Sequence, residues 1–179
     1  MTDAFRTALV ALLPRLRRFA IGLTTDTERA DDLVQAACER ALTKGGQWQE
    51  GTRLDSWMFK IVQNLWIDQL RGQSRIAPIE DEQLENFEGE DFNARIEAQI
   101  TLEMVLKAMA KLPAQMRSIL MLICVEGVSY QDAATILEVP IGTVMSRLAR
   151  ARLRLMERLD TTEPKPGGNV VRFRSGQDD

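Results

Sequence analysis

The amino-acid sequence predicts an all-α fold with two small helical domains joined by an acidic linker. Apolar residues recur at steps of three and four along most of the chain, which is the period of an amphipathic helix. Prolines, glycines and capping residues divide this pattern into helix-sized pieces. Residues 77–110 hold nine acidic and two basic side chains, whereas residues 1–76 and 111–160 each carry a net charge of +2. At 179 residues the chain has room for one domain of ordinary size or for two small ones.

The first domain, residues 1–76, is predicted to be a helical bundle. Its first apolar stripe starts at Phe5, and Pro14 either kinks this helix or starts a new one. A turn at residues 24–26 precedes a second helix whose inward residues extend from Ala30 to Ala41. A third helix is expected from about Leu54 to Arg71, with Lys60, Gln63, Asn64 and Arg71 facing away from its apolar stripe.

An acidic linker is expected over residues 77–92, because this stretch has too few apolar residues to hold a fold alone. Its carboxylate spacing matches no known metal-binding loop. The second domain, residues 93–160, is predicted to begin with a helix over residues 93–111. Leu112 and Pro113 break the chain and start the next helix, which should end near Cys124. The tail, residues 161–179, has no helical period and is expected to be disordered.

A helix-turn-helix is predicted between Ser129 and Arg152. Ser129 is a good N-cap for the first helix, and Pro140 must end that helix because it lacks an N–H and restricts the preceding residue. Thr143 can start the second helix as a cap or first-turn residue. The apolar face of the second helix is formed by Val144, Leu148, Ala151 and Leu155.

The opposite face of this second helix suits a DNA groove. Met145, Ser146, Ala149 and Arg150 fall there, and further arginines flank it. Five arginines and one glutamate lie between residues 147 and 158, and a helix docked in a major groove needs cations at its shoulders to meet phosphates. A solvated surface helix in an all-α bundle is the alternative, but the preceding tight turn and the arginine excess favour DNA recognition.

Several functional classes are disfavoured by composition. The chain has no histidine, which removes the commonest general base and metal ligand. Cys38 and Cys124 lie far apart in apolar stretches, so both are predicted to be buried thiols in a reducing cytoplasm. We therefore expect no metal site, no cofactor and no enzymatic activity. No apolar run approaches the roughly 20 residues of a membrane span, and the N-terminus does not resemble a signal peptide.

Trp66 lies away from the apolar stripe of its helix. We expect it to pack on a neighbouring helix, because an apolar aromatic side chain seldom stays fully solvated.

Three motifs, in order, carry a family resemblance. Residues 29–35 (RADDLVQ) are similar to a core-binding helix, and residues 54–59 (LDSWMF) with Asn64 and residues 67–71 are similar to a helix that engages the −10 promoter element. A −35 binding domain is resembled by residues 126–130 (EGVSY), Ala133, Ala134 and Leu137, and then by residues 139–144 (VPIGTV), 146–148 (SRL) and 150–152 (RAR). The chain is thereby identified as resembling the ECF-type sigma factors of bacterial RNA polymerase. The opening of the chain and residues 51–54 are similar to the subgroup that controls general stress responses.

The resemblance implies a non-enzymatic cytoplasmic factor that binds core RNA polymerase, directs it to promoters and helps to open the −10 region. It implies contacts to the clamp helices of the β′ subunit, to the β flap and to an anti-sigma factor. The residues that would meet the clamp helices are Asp31, Asp32, Leu33, Gln35 and Arg40. In the −10 region, a loop over residues 45–53 and Asn64 would hold a flipped base, while Lys60 and Arg71 would attract phosphates.

The resemblance also distributes roles over the helix-turn-helix. Ser146 and Arg150 would read −35 bases from the face that also carries Met145 and Ala149. Thr143, Arg147 and Arg154 would contact the DNA backbone, and Ser129 and Tyr130 could contact phosphates. Many relatives carry Lys or Arg where this chain has Met145, so Arg150 is expected to supply much of the specificity. A stand-alone helix-turn-helix regulator is the alternative, but it leaves residues 31–35 and the first domain unexplained.

Overall fold

The computed structural model describes residues 3–44, 52–73 and 102–160, and these ranges are helical throughout apart from turns. The all-α prediction is confirmed. Within these ranges the α-helices are α1 (Asp3–Thr24), α2 (Thr27–Thr43), α3 (Leu54–Gln73), α4 (Leu102–Ala110), α5 (Ala114–Leu120), α6 (Tyr130–Leu137) and α7 (Ile141–Asp160). A short π-helix, Met121–Val125, continues directly from α5.

The N-terminal half consists of α1, α2 and α3, packed in pairs. Helix α1 runs through Pro14, whose ring lies on the exposed side, so this proline does not start a new helix. Asp26 caps α2, because its carboxylate accepts a hydrogen bond from the backbone N–H of Arg29 at 2.9 Å. The rings of Phe19 and Phe59 meet edge to face with centroids 5.1 Å apart and join α1 to α3.

The C-terminal half consists of α4 to α7 and contains the predicted helix-turn-helix. Ser129 caps α6 by accepting a hydrogen bond from the backbone N–H of Asp132 at 3.0 Å, as predicted. Helix α6 ends at Glu138, which adopts a left-handed conformation with φ of 56°, and the chain turns through Pro140 into α7. The sequence predicts the stop at this turn, but it does not predict that a glutamate takes the left-handed position, which glycine usually fills.

The two halves pack against each other and share one continuous apolar core. That core extends from α1, α2 and α3 into the π-helix, α6 and the start of α7. A second cluster, formed by Leu112, Met116, Ile119, Leu120, Leu148 and Ala151, joins α5 to α7. Each half therefore buries part of its apolar surface against the other.

The cysteine prediction is wrong for Cys124, whose side chain is exposed, while Cys38 is half-buried. An α-helix continued through residue 124 would place Cys124 on the apolar face of α5, four residues after Leu120. The π-helix has a wider turn, so it rotates the following residues away from that face. The prediction for Trp66 is confirmed, since this side chain is only 2% exposed. Burial raises the pKa of the Cys38 thiol.

Several predictions fall outside the described residues. These are the acidic linker over residues 77–92, the tail over 161–179, most of the loop over 45–53, and the first part of the helix predicted for 93–111. None of the helices in the described ranges combines the length and the apolar character that a bilayer crossing requires.

Candidate nucleic-acid and polymerase interfaces

Helix α7 has the two faces that its sequence predicts. Val144, Leu148 and Ala151 are buried and attach the helix to the C-terminal half. On the opposite side, Met145 is 54% exposed. Ser146 and Ala149 are half-buried, and the Ser146 hydroxyl donates a hydrogen bond to the backbone oxygen of Thr143 at 3.2 Å. This geometry leaves one side of α7 available to a groove in DNA while the other side fixes its position.

Arg147, Arg152 and Arg154 of α7 lie along the borders between these two faces, whereas Arg150 lies on the side opposite the apolar stripe. Arg147, Arg150, Arg152 and Arg154 are all half-buried, and the Nε atoms of Arg150 and Arg152 have no exposed surface. One nitrogen of the Arg152 guanidinium lies 3.6 Å from the sulfur of Cys124. Arg147 turns toward the N-terminal half and lines a cleft there. The shoulder charges that phosphate contacts require are thus present on α7.

The start of α6 carries two residues that are predicted to contact phosphates, Ser129 and Tyr130. Tyr130 is 41% exposed. The Ser129 hydroxyl is engaged within the protein, because it also donates a hydrogen bond to the carboxylate of Asp132 at 2.8 Å. Ser129 therefore acts as the cap of α6 in this structure.

The predicted polymerase-binding residues of α2 are mostly on its exposed side. Asp31, Asp32 and Gln35 are exposed, and Arg40 is half-buried. Leu33, in contrast, is fully buried and holds α2 in the core, so it presents no side-chain surface to a partner here. Asp31 accepts hydrogen bonds from Arg17 of α1 at 2.6 and 3.1 Å, and this contact holds the pKa of the Asp31 carboxyl below its usual range.

The predicted −10 residues of α3 face the C-terminal half. Asn64 and Arg71 are exposed, and with Arg40 and Arg147 they line a cleft of about 510 Å³ between the halves. The same cleft is lined by Gln63, which the sequence places on the outward side of α3 but which is only 5% exposed. Among the described residues its amide oxygen has no hydrogen-bond partner. The helical period of α3 alone could not reveal this burial, because Gln63 lies at a cleft that residues of both halves line.

Lys60, also predicted to attract phosphates, already holds a carboxylate. Its ammonium lies 2.8 Å from the carboxylate of Glu138, the residue in the left-handed turn of the helix-turn-helix. The hydrogen bond to Lys60 and its positive charge lower the pKa of Glu138. One predicted DNA contact of the N-terminal half is thus occupied by the C-terminal half.

Glu126 makes the most buried ionic contact between the halves. Its side chain has no exposed surface, and its carboxylate accepts hydrogen bonds from Arg15 at 3.0 Å and from Arg18 at 2.7 and 3.1 Å. Arg15 also approaches Asp55 of α3, with 3.3 Å between nitrogen and oxygen. Sequence reasoning uses Glu126 only as part of a motif. A signal was available in its position at the end of an apolar run, directly before Gly127, whose φ of 66° makes the turn into α6.

Two further contacts link the halves. Arg53, which also pairs with Asp55 at 2.9 Å, reaches Asp132 of α6 at 2.7 Å. The indole of Trp66 lies between two guanidinium groups, that of Arg29 at 5.7 Å and that of Arg117 of α5 at 5.8 Å from the ring centroid. Burial and the neighbouring charge of Arg29 lower the pKa of Arg117.

Both halves match known family models. The model described as Sigma-70, region 4 matches residues 102–155, and the model described as Sigma2 domain of PhyR matches residues 9–63. The first range contains α7 as far as residue 155, with Arg147, Arg150, Arg152 and Arg154. The second contains the exposed side of α2 and the first half of α3, and it ends just before Asn64.

Whole-length similarities extend across both halves. The chain is 36% identical over 159 residues to the ECF RNA polymerase sigma factor EcfG of Rhodopseudomonas palustris, covering 87% of this chain and 84% of that protein. It is 34% identical over 143 residues to the ECF RNA polymerase sigma factor SigM of Mycobacterium tuberculosis, covering 79% and 69% respectively. Its fold matches the sigma factor RpoE of Bartonella quintana, solved in complex with the anti-sigma factor NepR, with a TM-score of 0.72 and 32% identity over 90% of this chain and all of that one.

Proposed function

This chain belongs to the ECF RNA polymerase sigma factors, which direct RNA polymerase to promoters, and on that premise we propose how its surfaces divide this work. The N-terminal domain, residues 1–76, binds core polymerase and the −10 element, and the C-terminal domain, residues 93–160, binds the −35 element. Residues 77–92 connect the two. The observation that carries this division is the two-faced α7, which pairs a buried apolar stripe with an exposed face bordered by arginines.

At the −35 element, α7 enters the major groove with Met145, Ser146, Ala149 and Arg150 toward the bases. Arg150 is the residue of this face that can donate two parallel hydrogen bonds, and guanine is the base that accepts such a pair. Thr143, Arg147 and Arg154 contact the DNA backbone, together with Tyr130 from the start of α6. Phosphate contacts of this kind set the register of the helix on the duplex.

At the −10 element, Asn64 helps to hold a base flipped from the non-template strand. Lys60 and Arg71 are the cations of α3 that attract phosphates. Arg71 is exposed, and Lys60 has its ammonium at the surface between the halves. A pocket for an unstacked base offsets the few kcal/mol that unpairing costs.

Core polymerase meets the exposed side of α2. Asp31, Asp32 and Gln35 provide a polar, acidic surface for the clamp helices of β′, with Arg40 at its edge. The C-terminal domain contacts the β flap. We leave Leu33 out of this surface because it is fully buried.

An anti-sigma factor is the further partner that we propose. The support is the similarity to the Bartonella quintana sigma factor, whose solved structure is a complex with the anti-sigma factor NepR. We place the protein in the cytoplasm, where core polymerase is found.

Run-off transcription tests the proposed function. Core RNA polymerase and a library of promoter DNA are incubated with and without this protein, and the transcripts are sequenced. Protein-dependent transcripts that share two upstream motifs are the expected result, and they would give the −10 and −35 specificities together.

Direct binding distinguishes the stand-alone regulator. A conventional regulator binds its operator alone with an affinity in the nanomolar range at physiological salt. A factor whose DNA contacts are completed by core polymerase binds the isolated promoter weakly. Tight binding to a selected duplex without polymerase, combined with no binding to core polymerase, would contradict the proposal.

A further inference from the structure

The cleft between the halves has the dimensions of a small-molecule site. Its volume is about 510 Å³, and ligand pockets in proteins measure about 300–1,000 Å³. Helices α2 and α3 line one side, and α5, the end of α6 and α7 line the other. Part of the lining is apolar, from Ile67 of α3 and from Ile119, Leu137 and Val139 of the C-terminal half. The cleft can therefore pack against an apolar ring as well as hold polar groups.

The side chain of Gln63 is the clearest sign of a ligand in this cleft. It lines the cleft, is only 5% exposed and makes no hydrogen bond to a described residue. Native proteins seldom leave a buried amide without a partner, because its desolvation is then uncompensated. An amide presents a donor beside an acceptor, and the edge of a nucleobase offers the complementary pair. A nucleobase in the cleft would satisfy Gln63.

Three guanidinium groups border the same cleft, those of Arg40 of α2, Arg71 of α3 and Arg147 of α7. Arg147 already has an interaction partner within the protein. Among the described residues, in contrast, neither Arg40 nor Arg71 takes part in an ion pair. A guanidinium donates two parallel hydrogen bonds to the oxygens of a phosphate. Two such groups on neighbouring helices suit a ligand that carries more than one phosphate.

Two carboxylates also line the cleft and restrict where an anion can lie. The charge of Glu138 is paired with that of Lys60 at 2.8 Å. Asp68 is exposed and takes part in no ion pair within the described ranges. Such a carboxylate repels phosphate, but it accepts hydrogen bonds from hydroxyl groups, as acidic residues do from ribose in dinucleotide-binding folds. Asn64, Asp68 and Arg71 recur at steps of four and three, so they share one face of α3.

These groups together match the parts of a nucleotide. We propose that the cleft between the halves binds a ribonucleoside diphosphate. Gln63 holds the edge of the base, and Asp68 accepts hydrogen bonds from the ribose. Arg40 and Arg71 hold the phosphates. The site requires both halves together, but it does not depend on the promoter contacts proposed above, in which Gln63 has no part.

Isothermal titration calorimetry of the full chain, without polymerase or DNA, tests the site. ADP and GDP are titrated separately, because both bases carry a donor beside an acceptor, and inorganic pyrophosphate is titrated for comparison. We expect one ADP or one GDP to bind per chain with a micromolar dissociation constant. Pyrophosphate lacks the base and the ribose, so it should bind at least about tenfold more weakly.

Two variants remove the groups assigned to the base and the phosphates. Gln63→Met takes away the amide at similar length and should weaken nucleotide binding by about tenfold, while pyrophosphate binding stays unchanged. Arg40→Ala should weaken the binding of both by about tenfold or more, because hydrogen bonds to a charged group are lost. Gln69→Met is the matched control, since Gln69 lies on the exposed side of α3 outside the cleft. It should match the wild type.

A third variant shows whether the ligand lies between the halves. Gln115 lines the cleft from α5, and no promoter contact is assigned to it. Gln115→Ala should weaken nucleotide binding by about twofold to tenfold, the range for one hydrogen bond. A nucleotide that binds only to the −10 face of α3 would not respond to this change.

The outcomes separate the nucleotide site from the proposed function. Binding of neither nucleotide would overturn the site, and so would pyrophosphate binding as tight as that of ADP and GDP. Nucleotide affinity that is unchanged in both Gln63→Met and Gln115→Ala would overturn it too, because the ligand would then lie elsewhere. Circular dichroism verifies folding, and if Gln63→Met does not fold, Gln115→Ala decides alone. Nucleotide binding by a protein that drives no transcription would support the site while the proposed function fails.

Discussion

Helices α3 and α7 are each proposed to meet one promoter element, but their functional faces are determined in different ways. On α7, Val144 and Leu148 are buried and Met145 is exposed, as the helical period of α7 alone predicts. On α3, Gln63 is buried at the cleft between the halves, and Lys60 is paired with Glu138 of the C-terminal half. The comparison teaches that the −35 face is a local property of one helix, whereas the −10 face depends on the arrangement of both halves.

The largest expected effect is a loss of stability when the buried face of α7 is truncated, and it tests whether only that face attaches α7 to the rest of the protein. Leu148→Ala should lower the free energy of unfolding by about 2–5 kcal/mol, because it leaves a cavity between α5 and α7. Met145→Ala, on the exposed side of the same helix, should change it by no more than about 0.5 kcal/mol. Urea denaturation followed by circular dichroism measures both. Equal losses for the two variants would show that α7 does not have one buried and one available face.

The second-largest expected effect is a loss of specificity for the −35 element when Arg150 of α7 is replaced. Arg150→Ala is expected to reduce discrimination at one −35 base pair by about 1–3 kcal/mol, the range for a bidentate contact to a base. Competitive run-off transcription on two promoters that differ at that base pair measures this discrimination as the ratio of their transcripts. Arg6→Ala, which removes the same side chain from the exposed part of α1, is the control and should keep the wild-type ratio. A variant that also loses binding to core polymerase would contradict the proposed separation of roles.

The sequence predicts the fold well wherever the bounds and the buried face of a helix follow from its own capping residues and apolar period. Ser129, Pro140 and the stripe from Val144 to Ala151 determine the helix-turn-helix, and these signals lie within 25 residues. The burial of Gln63 and Glu126 could not be predicted in this way, because each is covered by residues far away in the chain. Cys124 was mispredicted for a local reason, since the sequence carries no clear sign of the π-helix that turns it outward.

The covered face of α3 can be tested at Gln63. Its buried amide oxygen has no hydrogen-bond partner among the described residues, and an unsatisfied buried polar group costs about 1–3 kcal/mol. Gln63→Met, of similar length and without the polar atoms, should therefore raise the free energy of unfolding by about 1 kcal/mol. Gln69→Met on the exposed side of α3 serves as the comparison and should have little effect. If Gln63→Met is neutral as well, the amide oxygen of Gln63 is not an unsatisfied buried group in solution.

The smallest expected effect is the loss, at low pH, of the stability that the ion pair between Lys60 and Glu138 contributes. Contact with Lys60 lowers the pKa of Glu138 from its usual 4.5, so the ionised form is favoured in the folded protein. The stabilisation from this pair is fully present above pH 4.5 and is lost as the pH falls through the lowered folded value. Urea unfolding of the wild type and of Glu138→Gln between pH 7 and pH 3.5 isolates this contribution, because other carboxylates titrate in both proteins. The stability difference between the two should be constant above about pH 5 and should shrink below pH 4.5. A difference that stays constant throughout would mean that Glu138 does not hold Lys60 in the free factor, and the −10 face would then be as independent of the other half as the −35 face is.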